Sequence, residues 1–307
     1  MPAKSKYIAS CYFLNVGQGT SQVILLGGQR AVIVDTGNKR NIRESPLIDL
    51  LTRLQIQTIE ALVLSHNDND HIGDAKNIFD TYRNNINEVY FLEDRASEQN
   101  SAYRLIMGVV EDRIITKNNV HRLETGKSRD ILIDGDIKLS VLFPNFMSNI
   151  QNERNKTCAI IALSVGTQQI IFSGDASIEA WKLIVENNGR QSLQILTIPH
   201  HGGSFADRAE DKKWFFDNVR ANYAVVSVGS NNRYEHPKSE TIQSFVRNNI
   251  EVFCTQSTSQ CGNTGQCCGT IIADVSPNQT VIKNLDNLRK RKQQVSLRLC
   301  QRIDSIK

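Results

Sequence analysis

Long apolar runs are missing from this chain of 307 residues, because none approaches the roughly 18–20 residues that a membrane-spanning helix needs. The first residues, Met1 to Lys6, also lack the apolar core of a signal peptide. We therefore expect a soluble, cytoplasmic protein with no membrane partner. The seven cysteines are an odd number in a chain without a secretory signal, which indicates mostly reduced thiols.

Short-period repeats and low-complexity linkers are missing as well, which argues against a repeat array or separate modules. With 40% hydrophobic residues the chain can bury a substantial core. The length allows two domains, but α/β folds of this size often form one. We expect a single domain over residues 1–282 and a separate tail over residues 283–307.

A strongly basic body is also absent, although the net charge is +4 and the pI is near 8.6. Residues 283–307 hold eight basic and two acidic side chains, a balance of +6, so residues 1–282 balance at −2. The basic character therefore belongs to the tail. The tail predicts either a terminal helix packed on the body or a surface for nucleic acid or a protein partner.

The most informative segment is residues 65–74, Ser-His-Asn-Asp-Asn-Asp-His-Ile-Gly-Asp, directly after the apolar run 59–64. The apolar run predicts a buried strand, and the Asn- and Asp-rich sequence predicts a loop. Asp and His side chains rarely pack together unless they bind a charge. A solvated polar loop is the plain alternative. We favour half of a two-metal site, with four candidate ligands: His66, Asp68, Asp70 and His71.

Other polar motifs also follow predicted strands. Asp35 lies in Asp-Thr-Gly, Asp175 in Ser-Gly-Asp, and His200 and His201 in Pro-His-His-Gly, while Gln18 lies in a Gly-Gln-Gly turn where backbone could approach a ligand. Ligands of layered α/β folds bind at the ends of strands, so we expect these motifs to converge. Two β-rich halves, each followed by β–α alternation, predict packed sheets with helices outside.

The order of these motifs resembles the metallo-β-lactamase superfamily, and more narrowly the C-terminal hydrolase domain of ComEC-type competence proteins. The His-x-Asp-x-Asp-His motif carries Asp68 where most of the superfamily has a histidine, and this is the mark of the ComEC-like branch. Phe13 to Gly19 and the segment 232–237, Asn-Arg-Tyr-Glu-His-Pro, also match that branch. The resemblance covers about residues 10–275 and implies a four-layer αββα sandwich.

The resemblance also implies roles for individual residues. His66 and Asp68 would hold one metal, Asp70 and His71 the other, and Asp175 would bridge the two. His200 or His201 would complete the second site, and Asp35 would brace the metal loop. Asp70 would also steer a bridging hydroxide, whereas His236 could bind metal, contact a phosphate or donate a proton.

The chain departs from the wider superfamily in one ligand position. A further His usually precedes the strand that leads to the bridging Asp, but residues 153–158 contain none. Asn155, Cys158 or water could fill that place. The residues of this chain include no membrane channel of the kind that true competence proteins have, so we do not expect this chain to take up DNA by itself.

Oxygen ligands favour Mn²⁺ or Mg²⁺, with Zn²⁺ as an alternative, and hard ions suit phosphate oxygens. We therefore expect an enzyme with two divalent ions, a phosphodiesterase or nuclease acting on DNA or RNA through a metal-bound hydroxide. The first alternative is a hydrolase of a small ester, lactone, thioester or lactam. The second is a non-catalytic binding subunit. The oligomeric state is left open.

Several features have plainer interpretations. A cluster of cysteines predicts a third metal site, a disulfide, or thiols that are buried or merely tolerated: Cys254, Cys261, Cys267 and Cys268. The thiols without a role are favoured, because the spacing matches no zinc module. Residues 93–130 are a candidate lid or insertion with a helix around Tyr103 to Val110. His121 is expected on the surface, and Trp181 in the core.

Overall fold

Two sheets form the centre of the protein in a computed structural model, which describes residues 7–92, 101–112, 114–125, 130–144, 158–230, 232–259 and 269–284. The first sheet has the strand order β15-β14-β1-β2-β3-β4-β5-β6. Its pairs are antiparallel from β15 to β3 and parallel from β3 to β6. Its strands are β1 (Ala9–Phe13), β2 (Ser21–Gly27), β3 (Arg30–Thr36), β4 (Thr58–Leu64), β5 (Ile86–Phe91), β6 (Val120–Arg122), β14 (Ile271–Ser276) and β15 (Gln279–Asn284).

The second sheet repeats this design with the order β13-β12-β11-β10-β9-β8-β7. It is parallel from β13 to β10 and antiparallel from β10 to β7. Its strands are β7 (Asp130–Asp134), β8 (Ile137–Phe143), β9 (Ile160–Val165), β10 (Gln168–Phe172), β11 (Gln191–Thr197), β12 (Val219–Val226) and β13 (Glu251–Cys254).

Helices cover the outer face of each sheet. The first sheet carries the helices of the amino-terminal half, and the second those of the carboxyl-terminal half, as their core contacts show. The helices are α1 (Pro46–Arg53), α2 (Asn69–Ile72), α3 (Ala75–Tyr82), α4 (Ser101–Glu111), α5 (Ile178–Asn188), α6 (Ala209–Asn218) and α7 (Ser239–Arg247), with short 3-10 turns at Ile42–Glu44, Arg83–Asn85, Lys117–Asn119 and Pro199–Gly202.

Three apolar layers separate these four layers of structure. Alternate side chains of a strand point to opposite faces, so Val32 and Val34 of β3 enter the core between the sheets. Ala31 and Ile33 of the same strand pack with the helices outside. Burial on both faces explains why such strands are continuous apolar runs. The αββα sandwich that the sequence predicted is confirmed.

The strand predicted over residues 59–64 is present as β4, which begins one residue earlier, and Trp181 is fully buried as predicted. The predicted loop after β4 differs, because it contains the four-residue helix α2. Strands β6 and β15 were not predicted, since three to six residues give little periodicity. Strand β15 ends at Asn284, two residues into the predicted tail, and the rest of the tail lies outside the described residues.

The segment over residues 93–130 is described only in part. Its helix α4 closely matches the predicted helical stretch, and Ala102, Ile106 and Val109 bury one side of it in the core of the first sheet. A role as a lid stays a prediction. In the described part of the chain, no helix is long and apolar enough to cross a membrane.

Candidate metal centre

The candidate site lies where parallel strands of both sheets end. Asp35 is near the end of β3, and Ser65 and His66 follow β4 in the first sheet. In the second sheet Asp175 follows β10 and His201 follows β11. The carboxyl ends of neighbouring parallel strands meet at one edge, so the topology brings these side chains together.

Backbone contacts hold the loop after β4 in place. The Thr20 amide donates to the Asp70 carbonyl at 2.9 Å, and the Gly37 amide donates to the His71 carbonyl at 3.2 Å. A Cβ on Gly19, whose φ is +140°, would lie 2.7 Å from the Asp70 carbonyl oxygen. The Gly-Gln-Gly turn therefore needs glycine so that its backbone can support the metal loop.

Asp175 lies between two buried histidines. Its Oδ1 is 3.3 Å from His71 Nε2 and 3.6 Å from His201 Nε2. His201 Nε2 is also 3.2 Å from Asp70 Oδ2. Ligand atoms of Asp70, His71 and His201 all lie within 4.8 Å of one another. The sequence motifs that contain these four residues thus meet at one point.

Asp35 supports this group from beneath. It is 1% exposed, and its carboxyl accepts hydrogen bonds from the Ser65 amide at 2.7 Å and the Ser65 hydroxyl at 2.6 Å. It also lies 2.8 Å from His71 Nδ1, which turns Nε2 of that ring toward Asp175. Such contacts fix the tautomer and orientation of a ligating histidine.

The two adjacent histidines have different surroundings. His201 is buried, and its Nδ1 is 2.8 Å from the Ser227 carbonyl, so Nε2 faces the cluster. His200 is exposed, and its ring packs edge-on against His236 with centroids 5.3 Å apart. The geometry therefore brings His201 and not His200 to Asp70 and Asp175.

His66 and Asp68 form the other side of the cluster. His66 Nε2 is 3.3 Å from Asp68 Oδ2, and the rings of His66 and His71 are 5.3 Å apart. The Asp68 side chain is 55% exposed, so this side faces solvent. Contact with His66 lowers the pKa of Asp68, which keeps its carboxyl ionised.

Three buried polar atoms give a test of whether metal suits the site. No hydrogen bond from the described residues satisfies His71 Nε2, His201 Nε2 or Asp175 Oδ1. Buried polar atoms rarely go without partners. Ligand atoms about 2.1 Å from one ion are themselves about 3.0–3.4 Å apart. The distances of 3.2–3.6 Å between the ligand atoms of Asp70, His71, Asp175 and His201 are close to this range. The residues present therefore fit a divalent ion.

The charges of the cluster shift its pKa values in opposite directions. Burial lowers the pKa of His71, but the carboxylates of Asp175 and Asp35 outweigh burial and raise it well above its usual value. The pKa of His201 is also raised, because Asp175 and Asp70 outweigh burial. Burial raises the pKa of Asp70, but contact with His201 and the charge of His71 bring it to about 2.

These shifts predict that protons compete with metal at neutral pH. A ligating histidine must be neutral, so metal affinity should rise as pH increases through the raised pKa values. The histidines stabilise the metal-free fold below about pH 6.5, and this stabilisation is lost as pH rises through their folded-state pKa values. The gain in melting temperature on adding Mn²⁺ should therefore grow from about pH 6 to about pH 8. A gain that does not change with pH would contradict this prediction.

Cys158 is a further predicted residue, and it lies beside the cluster. Cys158 is buried, and its Sγ accepts a hydrogen bond from the Asp175 amide at 3.0 Å. Burial raises the pKa of this thiol to about 12, which favours the protonated form in the metal-free protein. A Cβ on Gly174 would lie 2.3 Å from the same sulfur, which shows how closely the Ser-Gly-Asp turn packs on it. Asn155 lies outside the described residues.

Gln18 and His236 lie on the side of β12. Gln18 Oε1 accepts from the Gly229 amide at 3.3 Å, and its Nε2 is buried without a partner among the described residues. His236 is 8% exposed, and its Nδ1 also lacks a partner there. Burial, followed by the charge of His200, lowers the pKa of His236 to about 4. His236 is therefore neutral at pH 7.

The remaining candidates lie elsewhere. His121 is on β6 and bonds Glu88, with Nε2 2.6 Å from Oε2, on a part-exposed surface. Cys254 is buried at the end of β13, and the other three clustered cysteines lie outside the described residues.

Two residues that hold the site had no predicted role. Ser65 opens the quoted motif, yet only the fold reveals its two bonds to Asp35. Asn232 closes the turn before His236, because its amide donates to the carbonyls of Gly229 and His236 and accepts from the His236 amide. Its position in the Asn-Arg-Tyr-Glu-His-Pro motif was the only available signal.

Two clefts open on either side of Asp68. The first, about 500 Å³, is lined by His66, Asp175, His200 and residues of α5 and α6, with the acidic side chains Glu179 and Asp207 at its wall. The second, about 570 Å³, is lined by Gln18, Asn38, Asp70, Arg233 and Tyr234 among others. Both volumes suit ligands of nucleotide size. The cluster is therefore accessible from two directions.

A family comparison agrees with this fold and site. Residues 14–188 match the model of the metallo-β-lactamase superfamily. The chain belongs to the metallo-β-lactamase superfamily. Proteins with this fold are generally hydrolases. The cluster of Asp70, His71 and His201 is the candidate metal site of this chain.

Comparison with individual proteins supports the narrower resemblance. The chain is 24% identical to ComE operon protein 3 of Bacillus subtilis over 257 residues, covering 79% of this chain and 31% of that protein. It is also 24% identical to competence protein ComA of Neisseria gonorrhoeae over 238 residues, covering 76% and 29%. The chain thus spans less than a third of either relative. The predicted resemblance to competence proteins is confirmed.

Among solved structures, the chain is similar to Igni18, a metallo hydrolase of Ignicoccus hospitalis. The TM-score is 0.49 at 11% sequence identity, over 90% of this chain and 99% of that one.

Proposed function

We propose that this protein is a two-metal phosphodiesterase that cleaves nucleic acid. The observation that carries the proposal is the share of carboxylates in the cluster. Asp68, Asp70 and Asp175 supply oxygen donors beside His66, His71 and His201. Oxygen donors suit Mn²⁺ and Mg²⁺, the ions that phosphate oxygens also prefer.

Six side chains would hold the ions. His66 and Asp68 would hold one ion, and Asp70, His71 and His201 the other, with Asp175 as a ligand that both would share. Two bound ions supply Lewis acidity and an acidified water for a displacement at phosphorus. The carboxyl of Asp35 keeps the His71 ring in the orientation that this binding needs.

His236 has a separate role in the proposal. Its ring is neutral at pH 7 and carries one N–H, and it packs edge-on against His200, which lines the first cleft. A neutral imidazole can donate a hydrogen bond to a phosphate oxygen without adding a charge that would repel the metals. We assign His236 this donor role. A Cβ on Gly203 would lie 2.7 Å from the ring, so the glycine leaves the space that the ring needs.

A small-molecule hydrolase is the second candidate. Glu179 and Asp207 lie at the wall of the first cleft, where Ile178 and Phe205 add apolar surface. Such a lining suits an ester or thioester better than a polyanion, which the acids would repel. This candidate is favoured if substrate enters only by the first cleft.

The deciding experiment loads the purified protein with Mn²⁺ and measures hydrolysis of single-stranded DNA, duplex DNA and RNA beside a panel of lactones and thioesters. We expect cleavage of nucleic acid that stops when a chelator removes the metal. His201→Ala should lose at least about a hundredfold in rate, because even residues that only orient a ligand are worth 10–100-fold in metal affinity.

The matched control is His121→Ala, because His121 lies on β6 and is hydrogen-bonded to Glu88 of β5. Its rate should equal that of the wild type. Verified metal binding without cleavage of any nucleic acid, together with turnover of a lactone or thioester, would replace the proposal with the second candidate.

A further inference from the structure

The wall of the second cleft carries an exposed aromatic ring beside the metal loop. Tyr234 is 47% exposed, and its ring lies 5.7 Å from the His236 ring at an interplanar angle of 30°. The Arg233 guanidinium carbon lies 4.8 Å from the centroid of the Tyr234 ring, and Nη2 donates to the tyrosine hydroxyl at 2.6 Å. The Arg233 guanidinium therefore packs against the exposed Tyr234 ring, and that ring lies next to the buried His236.

Hydrogen bonds hold the segment that carries Arg233 and Tyr234 in position. Asn232 bonds three backbone groups of the turn at 2.7–2.9 Å, which closes the segment that carries Arg233 and Tyr234. The Lys238 amide then donates to the Gly202 carbonyl at 2.8 Å and ties the segment to the turn that carries His201. Because the turn is already held in place, little conformational entropy is lost when a ligand binds to the exposed Tyr234 ring.

The charges of the two clefts differ. Apart from the candidate ligands Asp68 and Asp70, Arg233 is the one charged side chain among the described residues that line the second cleft. The first cleft has Glu179 and Asp207 at its wall, and Arg208 there is paired with Asp211. A polyanion is therefore attracted along the second cleft and repelled from part of the first.

We propose that Arg233 and Tyr234 form a nucleotide subsite, which stacks an unpaired base next to the phosphodiester that is cleaved and attracts its neighbouring phosphate. The inference rests on the proposed nuclease function and adds a substrate class, single-stranded nucleic acid or frayed ends. Stacking on aromatic rings and guanidinium planes needs a base with a free face, which an intact duplex does not offer.

The test compares a short single-stranded oligonucleotide with the same oligonucleotide made abasic at successive positions. Wild-type protein with Mn²⁺ should cut the intact strand about 10- to 100-fold more efficiently than the strand that lacks the stacked base, mainly through KM. Tyr234→Ala should cut both strands at the same low efficiency. Binding to metal-free protein, measured by fluorescence anisotropy, should show the same contrast. Wild type should bind the intact strand more tightly than the abasic strand, and Tyr234→Ala should bind both strands equally.

Three further variants separate stacking from other effects. Tyr234→Phe keeps the aromatic ring and should retain the preference for the intact strand over the abasic strand. Arg233→Ala should lower the salt dependence of binding by about one phosphate contact. Arg247→Ala, an exposed arginine on α7, is the matched control and should behave as wild type.

The two proposals fail in different ways. If wild-type protein cuts intact and abasic strands equally, or Tyr234→Phe loses as much as Tyr234→Ala, the subsite is overturned while nuclease activity stands. If neither strand is cut by metal-loaded protein, the nuclease proposal itself fails.

Discussion

Asp175→Ala should abolish measurable hydrolysis and most metal binding. The carboxylate contacts both His71 and His201, and its Oδ1 has no hydrogen-bond partner among the described residues. Burial raises its pKa, but the charges of His71 and His201 outweigh burial and hold the pKa well below the usual value, so the carboxyl is ionised at neutral pH. We expect a loss of far more than a hundredfold in kcat/KM, since residues that only orient ligands already cost 10–100-fold. Metal content by mass spectrometry of the native protein and a nuclease assay check this.

Two comparison variants locate the cause of that loss. Asp175→Asn keeps the volume and removes the charge, so it should lose activity like the alanine variant. Asp49→Ala removes an exposed carboxylate on α1 that pairs with Arg53, and should leave metal content and rate unchanged. Full activity of Asp175→Asn would show that the carboxylate does not bind metal.

Asp35→Ala should combine a loss of stability with a loss of metal affinity. The substitution leaves the Ser65 amide, the Ser65 hydroxyl and His71 Nδ1 without their buried partner. Unpaired buried groups cost about 1–3 kcal/mol each, so we expect about 3–5 kcal/mol in the free energy of unfolding. This corresponds to a fall of roughly 10 °C in melting temperature. Thermal unfolding with and without Mn²⁺ measures both effects.

Ser65→Ala provides the graded comparison, because it removes only the hydroxyl donor to Asp35. Its cost should be about 1 kcal/mol, with metal affinity little changed. A melting temperature for Asp35→Ala equal to that of Ser65→Ala would contradict the view that one carboxyl organises both the loop and the His71 ring.

Local patterns predicted packed sheets with helices outside and the convergence of the polar motifs, whereas the four-layer arrangement followed from the family resemblance. Apolar runs such as Ile59 to Leu64 are continuous because the strand is buried on both faces, and helices such as α5 show one buried side. Polar motifs at strand ends predicted convergence, because parallel strands end at one edge. Short elements such as α2 and β6 were beyond this reasoning, since their few residues carry no periodicity.

The choice between His200 and His201 needed the three-dimensional structure. Both residues have φ near +53°, and neighbouring identical side chains give the sequence no basis for preferring one. Hydrogen bonds from distant segments decide the matter: the His200 amide donates to the Gly174 carbonyl, and the Ser227 carbonyl lies beside His201 Nδ1. Long-range contacts likewise gave Ser65 and Asn232 their roles, and the fold put Arg233 and Tyr234 in the same cleft as Asp70. Residue types and their order along the chain limit which chemistry is possible, but the direction of each side chain depends on backbone angles that partners far away in the sequence hold in place.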